Sequence, residues 1–319
     1  MRICRYFLTI GLLALILLLA ACGGENEDSG SESADNSDEQ NIEVTLDSQQ
    51  GEVTLPTDAE AIMAPYHEDA LVALGVTPVA KWAIGESIQD YLEEDLKDVP
   101  KIEWNMPLEQ VLNHSPDLII LEHGLDSYEG TYEDYKKIAP TYVMKEEVTN
   151  DWRKQIEVFG KILGKEDKAE QVMNQYNEKV KSAKEEINNA IGNETVAAIW
   201  ATGNQFFLFE ENRHSAEVLY SELGVQAPEL VQSLSGDVEA QWNPISLEKL
   251  SELKADHVFL LASEGEQGIE TLENSSVWQS TPAAENDQVY VLNDPSNWTN
   301  KGLIAAEKTI DDLLEFLVK

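Results

Sequence analysis

The chain has 319 residues and a formal charge of −38, with 60 acidic side chains against 22 basic ones. So large an acidic excess excludes nucleic acid and anionic lipid surfaces as partners, because each requires a face of Lys and Arg. The two cysteines, Cys4 and Cys22, both lie at the start, which leaves the body of the chain without a disulfide, a thiolate metal site or a thiol nucleophile.

Residues 1–21 read as a secretory signal: a short basic start, an apolar run from Tyr6 to Leu19, and small residues at the cut. The run is shorter than the ~20 residues a bilayer span needs. Leu19-Ala20-Ala21-Cys22 resembles the bacterial lipobox. That resemblance implies cleavage before Cys22 and acylation of both its thiol and its new amine, a multiple-chain anchor that holds far better than one chain. Residues 22–41 are acidic and poor in apolar side chains, so they read as a disordered tether.

Residues 42–164 open with a hairpin, 43–46 against 51–56, followed by a short strand at 61–64 that leads to Pro65-Tyr66-His67. An apolar helix from 68 stops at Gly75, and a strand at Val79-Ala80 precedes Lys81-Trp82. A helix at 108–114, a turn at Asp117 and an apolar strand at 118–121 come next. Residues 165–191 are mostly charged, with Val172, Tyr176, Val180 and Ala183 at helical spacing. Such a helix is ~35–40 Å long. In residues 192–319, strands are expected at 195–200, 206–209 and 288–292, a polar loop at 293–299, and a closing amphipathic helix at 303–318.

Two stretches repeat. Residues 108–121 parallel 247–260, each a short helix, a turn at an Asp and an apolar strand; upstream, 68–76 parallels 217–225, each an apolar helix ending at a Gly. Paired echoes in one order predict two lobes of like α/β architecture, 42–164 and 192–319, with 165–191 as a rigid strut between them.

The lipobox, the tether, EDALVALGVTPVA (68–80), PLEQVLNHSPDLIIL (107–121), the strut, SAEVLYSELGV (215–225), ISLEKLSELKADHVFLL (245–261) and NKGLIAAEKTIDDLL (300–314) come in one order. Together they resemble the iron(III)-siderophore-binding lipoproteins of Gram-positive ABC importers, over essentially the whole of residues 42–319. The resemblance implies two Rossmann-like lobes on a single long helix (the class III periplasmic-binding-protein fold), a shallow cleft and little closure. It further implies a monomer that carries a ferric siderophore to an ABC permease dimer with its ATPase, anchored by Cys22 on the outer face of the cell membrane. Glu109 and Glu248 hold the same place in the repeated unit, and in this family the glutamate of that unit pairs with a permease arginine. A carboxylate in a first turn is also what the helix dipole alone favours.

A ferric siderophore reaches its carrier with iron already saturated, so the protein needs aromatic walls and a few donors, with no metal ligands and no cofactor. Arg213 is the first candidate, since a guanidinium presents donors in a fixed fork, although Glu210 and Glu211 beside it offer a plain ion pair. Trp298 is the aromatic candidate because a large ring in a polar loop suits a cleft wall. Trp82, Trp104, Tyr66 and Tyr128 follow, each equally suited to core packing. Trp152 and Trp278 read as structural, and Trp200 and Trp242 are unassigned. With only Arg213, Lys81 and Lys301 near the expected cleft loops, hydroxamate complexes fit better than strongly anionic tricatecholates. Citrate-hydroxamates, haem and cobalamin remain open, as does direct Zn or Mn binding by His67, His123, His214 and Asp294. No nucleophile elbow or phosphate-cradling loop occurs, so catalysis is not expected.

Overall fold

Residues 43–85, 89–234, 242 and 244–318 are described by a computed structural model of the chain; the expected signal, Cys22 and the tether lie outside them. The chain begins with an antiparallel hairpin, β1 (Glu43–Ser48) against β2 (Gly51–Pro56). β3 (Ile62–Met63), β4 (Lys81–Ala83), β5 (Lys101–Glu103), β6 (Leu118–Leu121) and β7 (Thr141–Val143) build the first half. Here β3, β6 and β7 form one parallel sheet in the order β3-β6-β7, and β4 pairs with β5. The second half is a four-stranded sheet of β8 (Val196–Thr202), β9 (Gln205–Leu208), β10 (His257–Leu261) and β11 (Val289–Leu292) in the order β11-β10-β8-β9, with only β9 antiparallel. Every residue of β6 and β10 is buried, as expected of parallel strands covered on both faces.

The helices that frame the site are α1 (Glu68–Ala73), α2 (Leu108–His114), α3 (Trp152–Ile162), α4 (Glu166–Ile191), α5 (Leu247–Leu250) and α6 (Leu303–Leu317). The sequence echoes have a physical basis. Asp117, ahead of β6, accepts the backbone N–H groups of Glu60 and Ala61 at 3.0 and 2.9 Å, just before β3. Asp256, ahead of β10, accepts the N–H and hydroxyl of Thr195 at 2.8 and 2.7 Å, just before β8. In each half the carboxylate sets the register of a parallel strand pair that no hairpin can set. Gly75 and Gly224 both adopt φ 73°, the left-handed residue that ends each echo helix.

α4 has 26 residues, about 39 Å at 1.5 Å per residue, and buries Ala169, Val172, Tyr176, Ala183, Ile187 and Ile191 along one face. It is not a bare rod between separate cores. One continuous apolar cluster runs from Leu55 in β2 through α3 and α4 to Leu317 in α6. Two polar ties cross the same ground. Arg153 of α3 pairs with Glu222 at 2.6 Å, and Glu222 also accepts the Tyr176 hydroxyl of α4 at 2.7 Å. Asp69 of α1 accepts the N–H groups of Ile304 and Ala305 at 3.1 Å each, capping the last helix of the chain from the first half. The expected polar loop at 293–299 is instead partly a helical turn, Ser296–Thr299, with Ser296, Asn297 and Trp298 buried.

Candidate functional site

β3 and β6 run parallel and end side by side, so the loops that leave their carboxyl ends converge, the usual place for a ligand in such sheets. After β3 the chain turns through Pro65, Tyr66 and His67. Tyr66 takes φ 67°, a strained conformation for a residue with a side chain. After β6 come Glu122 and His123, and beyond β7 lie Thr149 and Asn150. From the second half, Asn212, Arg213 and His214 beyond β9, with Lys301 just before α6, face the same space. Together with Gln155, these residues, Pro65 aside, line a cavity of 540 Å³ between the two halves, large enough for a small rigid chelate.

Burial governs the chemistry of this lining. It pushes the Tyr66 hydroxyl up to about 12, helped by the charges of Glu122 and Glu68. It drives the His67 imidazole down to about 4, partly offset by Gln155, and the His214 imidazole to about 3, helped by Lys301 and Arg213. Both imidazoles are therefore neutral at neutral pH. The cavity thus combines the Tyr66 ring, imidazoles, the Arg213 guanidinium, the Lys301 ammonium and the Glu122 carboxylate, a set suited to gripping a preformed ligand. Among the described residues, no group of three or more His, Cys, Asp or Glu is arranged to hold a metal ion. Asp294 is exposed and does not line the cavity; its carboxylate accepts the Ser296 N–H.

Of the expected site residues, Tyr66 and Arg213 line the cavity. The Arg213 side chain is 2 % exposed, is paired with Glu210, and lies 4.5 Å from the centre of the Trp242 ring. The ion pair anticipated from sequence is therefore present, but it is a buried one that holds the guanidinium at the cavity wall. Trp82 backs Tyr66, their ring centres 4.9 Å apart, and Tyr128 donates its hydroxyl to Glu122. Both lie behind the lining. Trp104 is 46 % exposed and borders a different hollow, beside β5 and α2. Lys81 is buried against Glu93 at 2.7 Å and does not face the cavity.

Trp298 is a correction: it is fully buried, stacks on Phe259 at 5.3 Å, and donates its indole N–H to Asp312 at 2.8 Å. It belongs to the core under the second sheet. Trp242, unassigned from sequence, is the large ring that backs Arg213 and His214 at the cavity. It stacks on His214 at 5.5 Å with an interplanar angle of 21° and meets Trp200, Phe207 and Phe209 at 5.2, 5.9 and 5.0 Å. Asn-Pro after Trp242 marks a loop, and that was the only sequence signal available. Glu109 and Glu248 are both exposed, in the first turns of α2 and α5.

Two α/β halves on a long helix, with a ligand-sized cleft between their strand-end loops, define a solute-binding receptor. Residues 63–295 match the family described as Periplasmic binding protein, and the chain belongs to it. It is 27% identical to the Iron(3+)-hydroxamate-binding protein YxeB of Bacillus subtilis over 326 residues, covering 99% of this chain and 97% of that one. It is 29% identical to the Iron(3+)-hydroxamate-binding protein FhuD of the same organism over 317 residues, covering 96% of each. A FhuD fold-family component of a ferrichrome ABC transporter from Bacillus subtilis superposes with a TM-score of 0.71 at 26% identity, covering 86% of this chain and all of that one. The fold is thus the class III arrangement of two Rossmann-like lobes on a single long helix. No helix among the described residues is long and apolar enough to cross a membrane.

Proposed function

We propose that this chain is the extracytoplasmic receptor of an ABC importer and captures ferric siderophores, hydroxamate complexes above all. The observation that carries this reading is the Arg213–Trp242–His214 stack on a 540 Å³ cavity between the halves. An iron(III) trishydroxamate is electrically neutral and partly apolar. It calls for flat rings and a directional donor, and a single guanidinium already balanced by Glu210 suits it better than it suits a highly charged tricatecholate. The names of the two relatives point the same way. In this reading Cys22 carries the lipid anchor, the protein works as a monomer on the outer face of the cell membrane, and Glu109 and Glu248 dock it onto the permease. No step requires covalent chemistry or a cofactor, because the iron arrives as cargo.

Titration with ferric trishydroxamates will quench the tryptophan fluorescence of the purified protein, since Trp242 stands directly behind the cavity lining. Trp242→Ala is expected to weaken binding by about 30-fold, because it removes the ring that supports Arg213 and His214 at the cavity wall. Arg213→Lys, which keeps the charge and loses the fork, weakens it less. Quenching by ferric catecholates alone, or by free metal ions alone, would overturn the reading.

A further inference from the structure

We infer that Glu122 selects, among ferric hydroxamates, those that carry a protonated amine. This rests on the cavity being the chelate site and adds a specificity to it. The two walls differ in their electrical balance. On the wall from the second half, Arg213 is matched by Glu210. On the wall from the first half, Glu122 stands one residue beyond β6 with its carboxylate half-buried in the cavity lining. The Tyr128 hydroxyl donates to it and His123 lies alongside, yet no Lys or Arg of the described residues forms an ion pair with it. Lys301 faces the same cavity from the opposite half and is not within ion-pair reach of Glu122. A partly desolvated carboxylate without a cation is raised in energy, and burial pushes its carboxyl above the ordinary range. An ammonium group seated beside it relieves that cost with a charge-assisted hydrogen bond.

His67, on the same wall, adds no positive charge to it. The Gln155 amide is oriented by a backbone carbonyl: its Nε2 donates to the Thr149 oxygen at 2.8 Å, which turns its Oε1 toward His67 Nδ1 at 3.2 Å. Nδ1 therefore carries the ring proton, and Nε2 is left as a lone-pair acceptor that is buried and has no partner. Glu122 accepts at the cavity surface, and His67 Nε2 is a further acceptor beneath it. An N–H donor seated at this wall satisfies Glu122, and a second carboxylate or catecholate does the reverse. The iron centre contributes nothing to this choice, because three hydroxamates cancel the charge of iron(III). An amine on the chelate is what distinguishes one such ligand from another.

The test compares the ferric complex of a linear trishydroxamate that ends in a primary amine with the same complex after N-acetylation, by fluorescence quenching at neutral pH. The parent protein is expected to prefer the amine form by about tenfold. Glu122→Gln, of the same shape, is expected to bring the two affinities together. That substitution changes the net charge of −38 by one, so the general attraction of an acidic protein for cations survives it and only the local contact is lost. Equal affinities in the parent protein, or a preference that persists in Glu122→Gln, overturns the inference and leaves the hydroxamate reading intact. Binding of neither complex overturns that reading and this inference with it. The comparison on the parent protein needs no variant to fold.

Discussion

Single residues account for what the sequence could and could not reveal about the site. Arg213 could be placed at the cavity because a guanidinium presents donors in a fixed fork and this one stands in the loop ahead of an apolar helix. Trp298 was misread because its neighbours Asn293, Asp294, Ser296 and Asn297 make the stretch look solvated. In the fold, Asn297 and Trp298 both donate to the partly buried Asp312, and Ser296 and Asn297 turn inward with the ring while Asn293 and Asp294 stay exposed. Burial of this kind leaves no trace in local composition. Glu68 is another case, an acidic residue in a helical first turn that is only 1% exposed. Burial pushes its carboxyl up to about 7, against the opposing hydrogen bonds from the Trp82 N–H and the Gln89 amide. A raised carboxyl means that the folded chain keeps a proton which the unfolded chain has released. The folded state therefore loses stability as pH rises from about 4.5 to about 7, and the full cost is present above that window. Glu68→Gln, which cannot ionise, should gain on the parent chain across this range by on the order of 3 kcal/mol. Urea midpoints taken at intervals through the window measure it; parallel curves would show that Glu68 does not titrate there.

At the scale of elements, the repeated helix-turn-strand units and the long helix were legible because both rest on periodicity. Residues 165–191 were expected to be helical, and α4 spans Glu166–Ile191. What periodicity could not show is how α6 is attached. Its first turn is capped by Asp69, more than two hundred residues upstream, and Asp69 also accepts the Tyr91 hydroxyl at 3.0 Å. Gly302 makes room for this. A Cβ there would lie 2.2 Å from the Asp69 carboxyl carbon, so the close approach, and not an unusual φ, requires glycine. Asp69→Ala removes a helix cap and strands a buried hydroxyl, a loss of roughly 2–4 kcal/mol. Gly302→Ala forces the cap aside at a cost of roughly 1–3 kcal/mol. Denaturant unfolding of both variants checks this, and native-like midpoints would show that α6 is seated by its apolar face alone.

On the scale of the whole molecule, the repeat places Glu109 and Glu248 at equivalent first turns of α2 and α5, one in each half and both exposed. A permease built from two like subunits presents two like sockets, and matched carboxylates suit such a surface. The Glu109→Ala/Glu248→Ala double variant is expected to quench with chelate as the parent does and to fail in uptake by cells; normal uptake would remove the docking role. The cavity, by contrast, was legible only to the level of loops, since which ring fills a wall depends on packing between segments far apart in sequence. The tie between Asp69 and α6 also bears on how the protein comes into being. Synthesis delivers the amino end first, so Asp69 has no helix to cap until residues 303–317 arrive. Without α6, Asp69 lacks its backbone partners, and a product truncated ahead of Leu303 is expected to fall to proteolysis as a whole rather than survive as a stable first half.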